Sequence, residues 1–201
     1  MAGMRSRTHG SGDEVKAMPG KNSAPVLLLT RDPAIKSIRD FSDKDRIAMP
    51  AAKVSGAAII LQMATQEMFG KGSEHKFDNL HVTMPTPDAT IALLSGGGEI
   101  NNHFSEPPFQ YQALKKSGIR TLLKSYDVLG GRTTYNLLWA TTKFHDDNPK
   151  TYKAFLAGLT EAMQEISRDK KAAAEIYLRL TKEKRSTEDG LDLLRNPHLE
   201  Y

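Results

Sequence analysis

Apolar residues alternate in short runs through the first two thirds of this chain and recur at helical spacing through the last third. From Arg46 onward, Ile47-Ala48-Met49 reads as a strand stopped by Pro50. Ser55-Gly56-Ala57 then opens a helix whose apolar face holds Ile59, Ile60 and Met63, and Gly70 closes it. Leu80 to Met84 alternates as a strand does, and Pro87-Asp88 starts a helix that runs to Leu94 and ends at Gly96-Gly97-Gly98. Ile100 to Phe104 is a further strand, Pro107-Pro108 leads into a helix over 109–116, and Ile119 to Lys124 is a strand again. This β-α-β-α-β order predicts an α/β sheet, with its chemically loaded segments where strands end and helices begin.

Two apolar runs flank that unit. Pro25 to Thr30 (PVLLLT) reads as a buried strand, and Thr134 to Thr141 (TYNLLWAT) as a second. Ala34 to Asp40 supplies one or two helical turns between the first run and Ile47. Asn148-Pro149 starts the clearest helix, in which Tyr152, Phe155, Leu156, Leu159, Met163 and Ile166 share one face. Asp169 caps another, with Ala173, Ile176, Tyr177 and Leu180 aligned. The layout predicts two lobes joined by crossing strands, with Val26–Leu29 and Asn136–Ala140 side by side as a hinge. The expected division is a disordered leader over 1–24, a crossover strand over 25–33, a complete α/β lobe over 34–131, and a return strand with helices over 132–201. The stripe from Tyr152 to Ile166 needs a sheet to cover it, so exposed apolar surface is expected on this last part.

Composition narrows the function. The 201 residues are 39% hydrophobic and 26% charged, as in ordinary globular domains. The net charge of +4 comes from bases interleaved with acids, without a basic stripe carrying aromatics, which argues against a nucleic-acid partner. With no cysteine, disulfides, thiolate metal sites and cysteine nucleophiles are excluded. No apolar run reaches the roughly 20 residues of a membrane helix. The first 24 residues carry no apolar core of a secretory signal.

The candidate chemistry is that of a binding site. Ser55-Gly56-Ala57 stands at a helix start, where free N–H groups and the helix dipole favour an anion or polar group; plain N-capping by Ser55 is the competing reading. Asn101-Asn102-His103-Phe104 follows the Gly-rich turn. There His103 is a candidate donor to an anionic ligand and Phe104 a candidate pocket wall, against a turn histidine and a core phenylalanine. Ser95-Gly96-Gly97-Gly98 follows a helix and lacks the Lys-Ser/Thr of a phosphate loop, so a helix C-cap is the better account. Glu99 with His103, and His75 with His81, lack the spacing and third ligand of a metal site. No nucleophile elbow or paired carboxylates suggest an enzyme, and no cofactor fingerprint is present.

Taken together, Asp40-Phe41 before RIAMP, Ser55-Gly56-Ala57, Pro87-Asp88-Ala89 before ALLSG, Glu99-Ile100 with Pro107, and Asn148-Pro149 before the long helix carry a resemblance. The chain resembles the substrate-binding proteins of nitrate/sulfonate/taurine-type ABC transporters, a group that includes thiamine-precursor-binding relatives. The match covers about Pro25 to Lys182. It implies a periplasmic-binding-protein-like α/β fold of type II, with one complete lobe and the C-terminal helices of an incomplete second lobe, as in an N-terminally truncated member. It implies a periplasmic solute-binding component that is not an enzyme and carries no cofactor. Such a component closes its lobes on a small anionic or polar ligand and is read by the transporter permease. Thr30 and Tyr126, near the expected crossovers, join the implied ligand set of Ser55, Gly56, Ala57, His103 and Phe104. A same-fold enzyme acting on a pyrimidine or thiamine precursor, and a ligand-sensing domain, are the alternatives.

Overall fold

The computed structural model describes residues 14–182 and 186–196. The chain divides into two compact units: Ala24–Thr133, and a second made from the flanks Met1–Ser23 and Thr134–Tyr201.

The second unit begins with strand β1 (Val15–Ser23), which pairs antiparallel with β7 (Thr134–Thr141), Ala17 standing opposite Trp139. Four helices follow: α5 (Thr142–Asp147), α6 (Pro149–Arg168), α7 (Lys170–Thr181) and α8 (Thr187–Leu194). The expected disordered leader is therefore corrected over 15–23, where pairing with β7 gives a weakly patterned segment its backbone partners; 1–13 lie outside the described residues. The stripe on α6 is only half-buried, and no residue of that helix is fully covered. Trp139 is 61% exposed and Phe155 52%.

Ala24–Thr133 holds a five-stranded sheet in the order β4-β3-β5-β2-β6. Its strands are β2 (Leu27–Thr30), β3 (Ile47–Met49), β4 (His81–Thr83), β5 (Asn102–Ser105) and β6 (Arg120–Lys124). β3 runs parallel to both β4 and β5, while β2 is antiparallel to β5 and β6. The side-chain alternation of a strand explains the layers. Leu28, Ile47, Met49 and Phe104 face one side, under α1 (Gly56–Phe69), with Ala58, Leu61, Phe77 and Leu80. Leu27, Leu29 and Ala48 face the other, under α2 (Thr86–Ser95) and α3 (Phe109–Leu114), with Ala89, Leu93 and Ala113. A short α4 (Ser125–Leu129) follows β6.

Helix ends follow the sequence signals. Ser55 Oγ accepts from Ala58 N–H (3.2 Å), and the Gly70 N–H donates to the Gln66 carbonyl (2.9 Å). Gly96 ends α2 in the left-handed region at φ 83°, with the Arg31 guanidinium packed 3.3 Å from where a Cβ would stand. A larger residue there meets backbone strain, while the flexible end of Arg31 need give only a few tenths of an ångström. Ile38–Asp40 forms a single 3-10 turn in place of the helical turns expected from Ala34.

The predicted hinge is also corrected. β2 spends both edges on β5 and β6, whereas β7 pairs with β1, so Val26–Leu29 and Asn136–Ala140 belong to different sheets. A strand whose four residues are all buried belongs in the middle of a layered sheet and leaves no edge for β7.

Phe104 is 2% exposed within the α1-side core. Phe104→Ala should lower unfolding free energy by about 3–5 kcal/mol in urea melts of the full chain. A loss below about 1 kcal/mol would place the ring outside the core.

Candidate functional site

The chain order makes a topological switch point. From β3 it passes through α1 to β4 on one side, and then α2 carries it back across β3 to β5 on the other side. β3 and β5 are thus adjacent and parallel, but their following segments diverge to opposite faces of the sheet. Open α/β sheets bind ligands at such a switch point, outside the carboxyl ends of the strands.

On the β3 side the loop from Pro50 to Ser55 is held by three bonds. Ala52 N–H donates to Thr83 Oγ1 (3.3 Å), Met84 N–H to the Met49 carbonyl (3.0 Å), and Ser55 N–H to the Ala51 carbonyl (3.2 Å). Lys53 takes the left-handed region at φ 69° to turn the chain into α1. Ser55 spends its hydroxyl on Ala58, so capping is its observed role in this structure. The Gly56 and Ala57 N–H groups remain at the positive helix end, where no earlier carbonyl of the helix reaches them. Gly56 is exposed, and a Cβ built on it would meet nothing within 4 Å. The cradle therefore opens at the glycine.

On the β5 side, Thr86 Oγ1 donates to Glu106 Oε1 (3.4 Å), tying the start of α2 to the segment after β5. Gln110 Nε2 donates to the Pro25 carbonyl (3.0 Å), and Val26 N–H to Ser125 Oγ (3.0 Å). Ser105 and Gln110 have no exposed surface, Ser105 Oγ lacks a hydrogen-bond partner, and the Tyr111 hydroxyl interacts with the Gln110 side chain. Burial raises the Tyr111 pKa, Gln110 beside it opposes that shift, and Tyr126 adds to it.

The expected contacts separate into those that reach this edge and those that do not. Ser55, Gly56 and Ala57 stand on it, and half-buried Tyr126 lies close enough to Tyr111 to influence its titration. His103 and Phe104 are inside the sheet, fully or almost fully buried on opposite faces, and neither offers surface to a ligand. His103 Nδ1 donates to the Ala48 carbonyl (3.2 Å), with Nε2 3.5 Å from Thr90 Oγ1. Thr30 is buried and pairs with Asn102 and Arg120, which places it at the opposite end of the sheet. The cause is direction: β2 runs antiparallel, so its carboxyl end meets the amino end of β5. Ser105 was missed because the strand was expected to end at Phe104, and Gln110 and Tyr111 because they read only as helix residues. One more residue of alternation past Phe104 would have placed Ser105 at the edge.

Among the described residues no group of three His, Cys, Asp or Glu side chains is arranged to hold a metal ion. Three cavities are formed within the units: about 420 Å³ beside Met63, Gln66 and Val128, about 270 Å³ beside Phe41, Lys76 and Phe77, and about 460 Å³ beside Trp139, Phe144 and Phe155.

No family model matches the chain, and no curated protein matches it. Solved structures do. The periplasmic aliphatic sulphonate binding protein SsuA from Escherichia coli superposes with a TM-score of 0.65 at 18% identity, over 92% of this chain and 56% of that one. The alkanesulfonate-binding protein SsuA from Xanthomonas axonopodis pv. citri, bound to MOPS, gives 0.65 at 13% identity, over 90% and 62%. The ligand binding component of an ABC-type import system from Staphylococcus aureus, with zinc bound, gives 0.63 at 16%, over 94% and 61%. The fold is that of the periplasmic binding proteins. This chain spans 56–62% of the length of these three structures. One α/β unit plus helices accounts for that span.

Burial lowers the His103 pKa from the ordinary 6.5 to about 4, against a raising effect of its bond to Ala48. The neutral ring is therefore the folded form, and its contribution is complete above about pH 6.5 and lost as pH falls through 4. That contribution is on the order of 3 kcal/mol. Urea melts from pH 7 to 4 should show a steeper loss for the natural chain than for His103→Gln, which keeps a donor for Ala48. Parallel profiles would contradict this account.

Proposed function

We propose that this protein is a solute-binding component of an ABC importer, taking a small organic anion of the sulfonate class at the switch point between β3 and β5. The observation that carries the reading is the open N-terminus of α1 at the switch point, in a fold whose solved examples include sulfonate-binding proteins. A sulfonate suits the Gly56 and Ala57 N–H groups because helix dipole and donors act together on an anion. Ser55 positions these donors by capping Ala58 and turns its remaining lone pair and proton toward the solute. Closure of the second unit over the bound solute is the proposed mechanism, and the closed form is what the permease recognises in the periplasm. On this reading the protein binds the solute without transforming it, and His103 behind the site is buried and held neutral.

Calorimetric titration of the full chain with ethanesulfonate and with MOPS tests the reading, with neutral ethanol as control. Binding of the sulfonates and none of ethanol is expected. Gly56→Leu should weaken sulfonate binding at least about tenfold, because the added side chain enters the space the anion needs, while the melting temperature holds or rises. Ser55→Ala should cost about 1 kcal/mol of stability as a lost cap and further reduce affinity. If Gly56→Leu leaves affinity unchanged, the cradle is not the site.

A further inference from the structure

We propose that the open edge of β7 and the apolar groove beside it form a dimer interface, occupied by the same edge of a second copy of this chain. The inference concerns the flanking unit alone and is independent of the solute-binding reading.

β1 and β7 make a two-stranded sheet, so among the described residues each strand pairs along one edge and leaves the other open. The two open edges differ. β1 contains Pro19, which has no N–H to offer, and between Ala17 and Asn22 it advances five residues against three in β7. Such bulges and prolines, with charged side chains, are how sheets guard an edge against further pairing. β7 has none of these residues. Its eight residues, TYNLLWAT, include no charge, no proline and no glycine.

A groove of about 460 Å³ lies beside this strand. Residues 138–141 form one wall, and Phe144 of α5 with Tyr152 and Phe155 of α6 form the other. Leu137, Trp139, Phe144 and Phe155 are 44–61% exposed. At roughly 100 Å² of uncovered surface each, two copies bring about 800 Å² from these four side chains. Pairing along the strands, about 27 Å long, adds the remainder of the roughly 1,000 Å² that a specific interface needs.

The occupant's chemistry follows from the edge. A segment that fits must be extended, offer N–H and C=O groups to β7, and bring uncharged, largely apolar side chains to the groove. Another β7 supplies all of this. Antiparallel pairing about a two-fold axis sets no like charges opposite each other, because the strand carries none. The product is one four-stranded sheet in the order β1-β7-β7-β1, which relieves the marginal stability of a lone two-stranded ribbon.

Trp139 is the single tryptophan of the chain, so its emission reports on this face. Sedimentation of the full chain should show monomer passing to dimer between about 1 and about 100 μM, as suits an interface of small area. Trp139 emission should move to shorter wavelength over the same range. Leu137→Lys, at the middle of β7, should raise the dissociation constant at least about tenfold, because two lysines then meet across the axis. Leu137 is half exposed, so the dilute variant should melt as the dilute natural chain does. An equal mixture of Leu137→Lys and Leu137→Glu chains should recover the dimer, which a misfolded variant would not do. A chain that stays monomeric throughout overturns the proposal. So does a dimer whose Trp139 emission is unchanged, one indifferent to Leu137→Lys, or a charge-swapped mixture that remains monomeric.

Discussion

Burial on both faces of β2, β3 and β5 is the constraint from which the rest of the inner unit follows. Every residue of these strands is buried. A strand in that position must have helices on both sides, and each pair of neighbours along it must split between two cores. Ile47 and Met49 then face α1 while Ala48 faces α2, which is why the β3–β4 connection lies on one side and the β4–β5 connection on the other. Burying a large apolar side chain contributes about 1.5–3 kcal/mol, so a slip of one residue that exchanged the faces would forfeit most of this unit's stability.

The switch point is a by-product of that arrangement. Two parallel neighbours whose continuations leave on opposite faces cannot be bridged by packed side chains at their carboxyl ends. Backbone N–H groups and polar side chains collect there instead: Gly56 and Ala57 from one side, Ser105, Gln110 and Tyr111 from the other. His103 shows the contrast. One position back from the edge pair Phe104-Ser105, its ring is enclosed between sheet and α2, bonded to the Ala48 carbonyl, and forced neutral. The same residue type at the strand's end would have remained a titratable donor.

The flanking unit is built by different means. β1 and β7 make a two-stranded ribbon, a kind of element that is marginal alone, and α6 contributes a half-buried stripe with no fully buried residue. Close packing is concentrated between α7 and α8, where a Cβ on Gly190 would stand 3.4 Å from the Ala174 Cβ. Ala174 and Leu191 are buried there.

Local signals in the sequence were sufficient for the helices and most strands of the inner unit. Ser55 and Gly70 mark α1 because capping chemistry is local, and the alternation around Ala48 marks β3 because strand periodicity is local. The open glycine at the start of α1 was legible for the same reason. What only tertiary structure decided was strand direction and pairing. Thr30 was expected to join the ligand set from its place near a crossover, yet antiparallel pairing of β2 carries it to the far end of the sheet. Val15–Ser23 gained its strand from β7, more than a hundred residues away, and no pattern of its own announces it. Ser105 and Gln110 became site candidates only when pairing with Leu27 and a bond to Pro25 buried them at one edge. Periodicity sets which face a side chain takes, but the end of the sheet it reaches depends on partners distant in the chain.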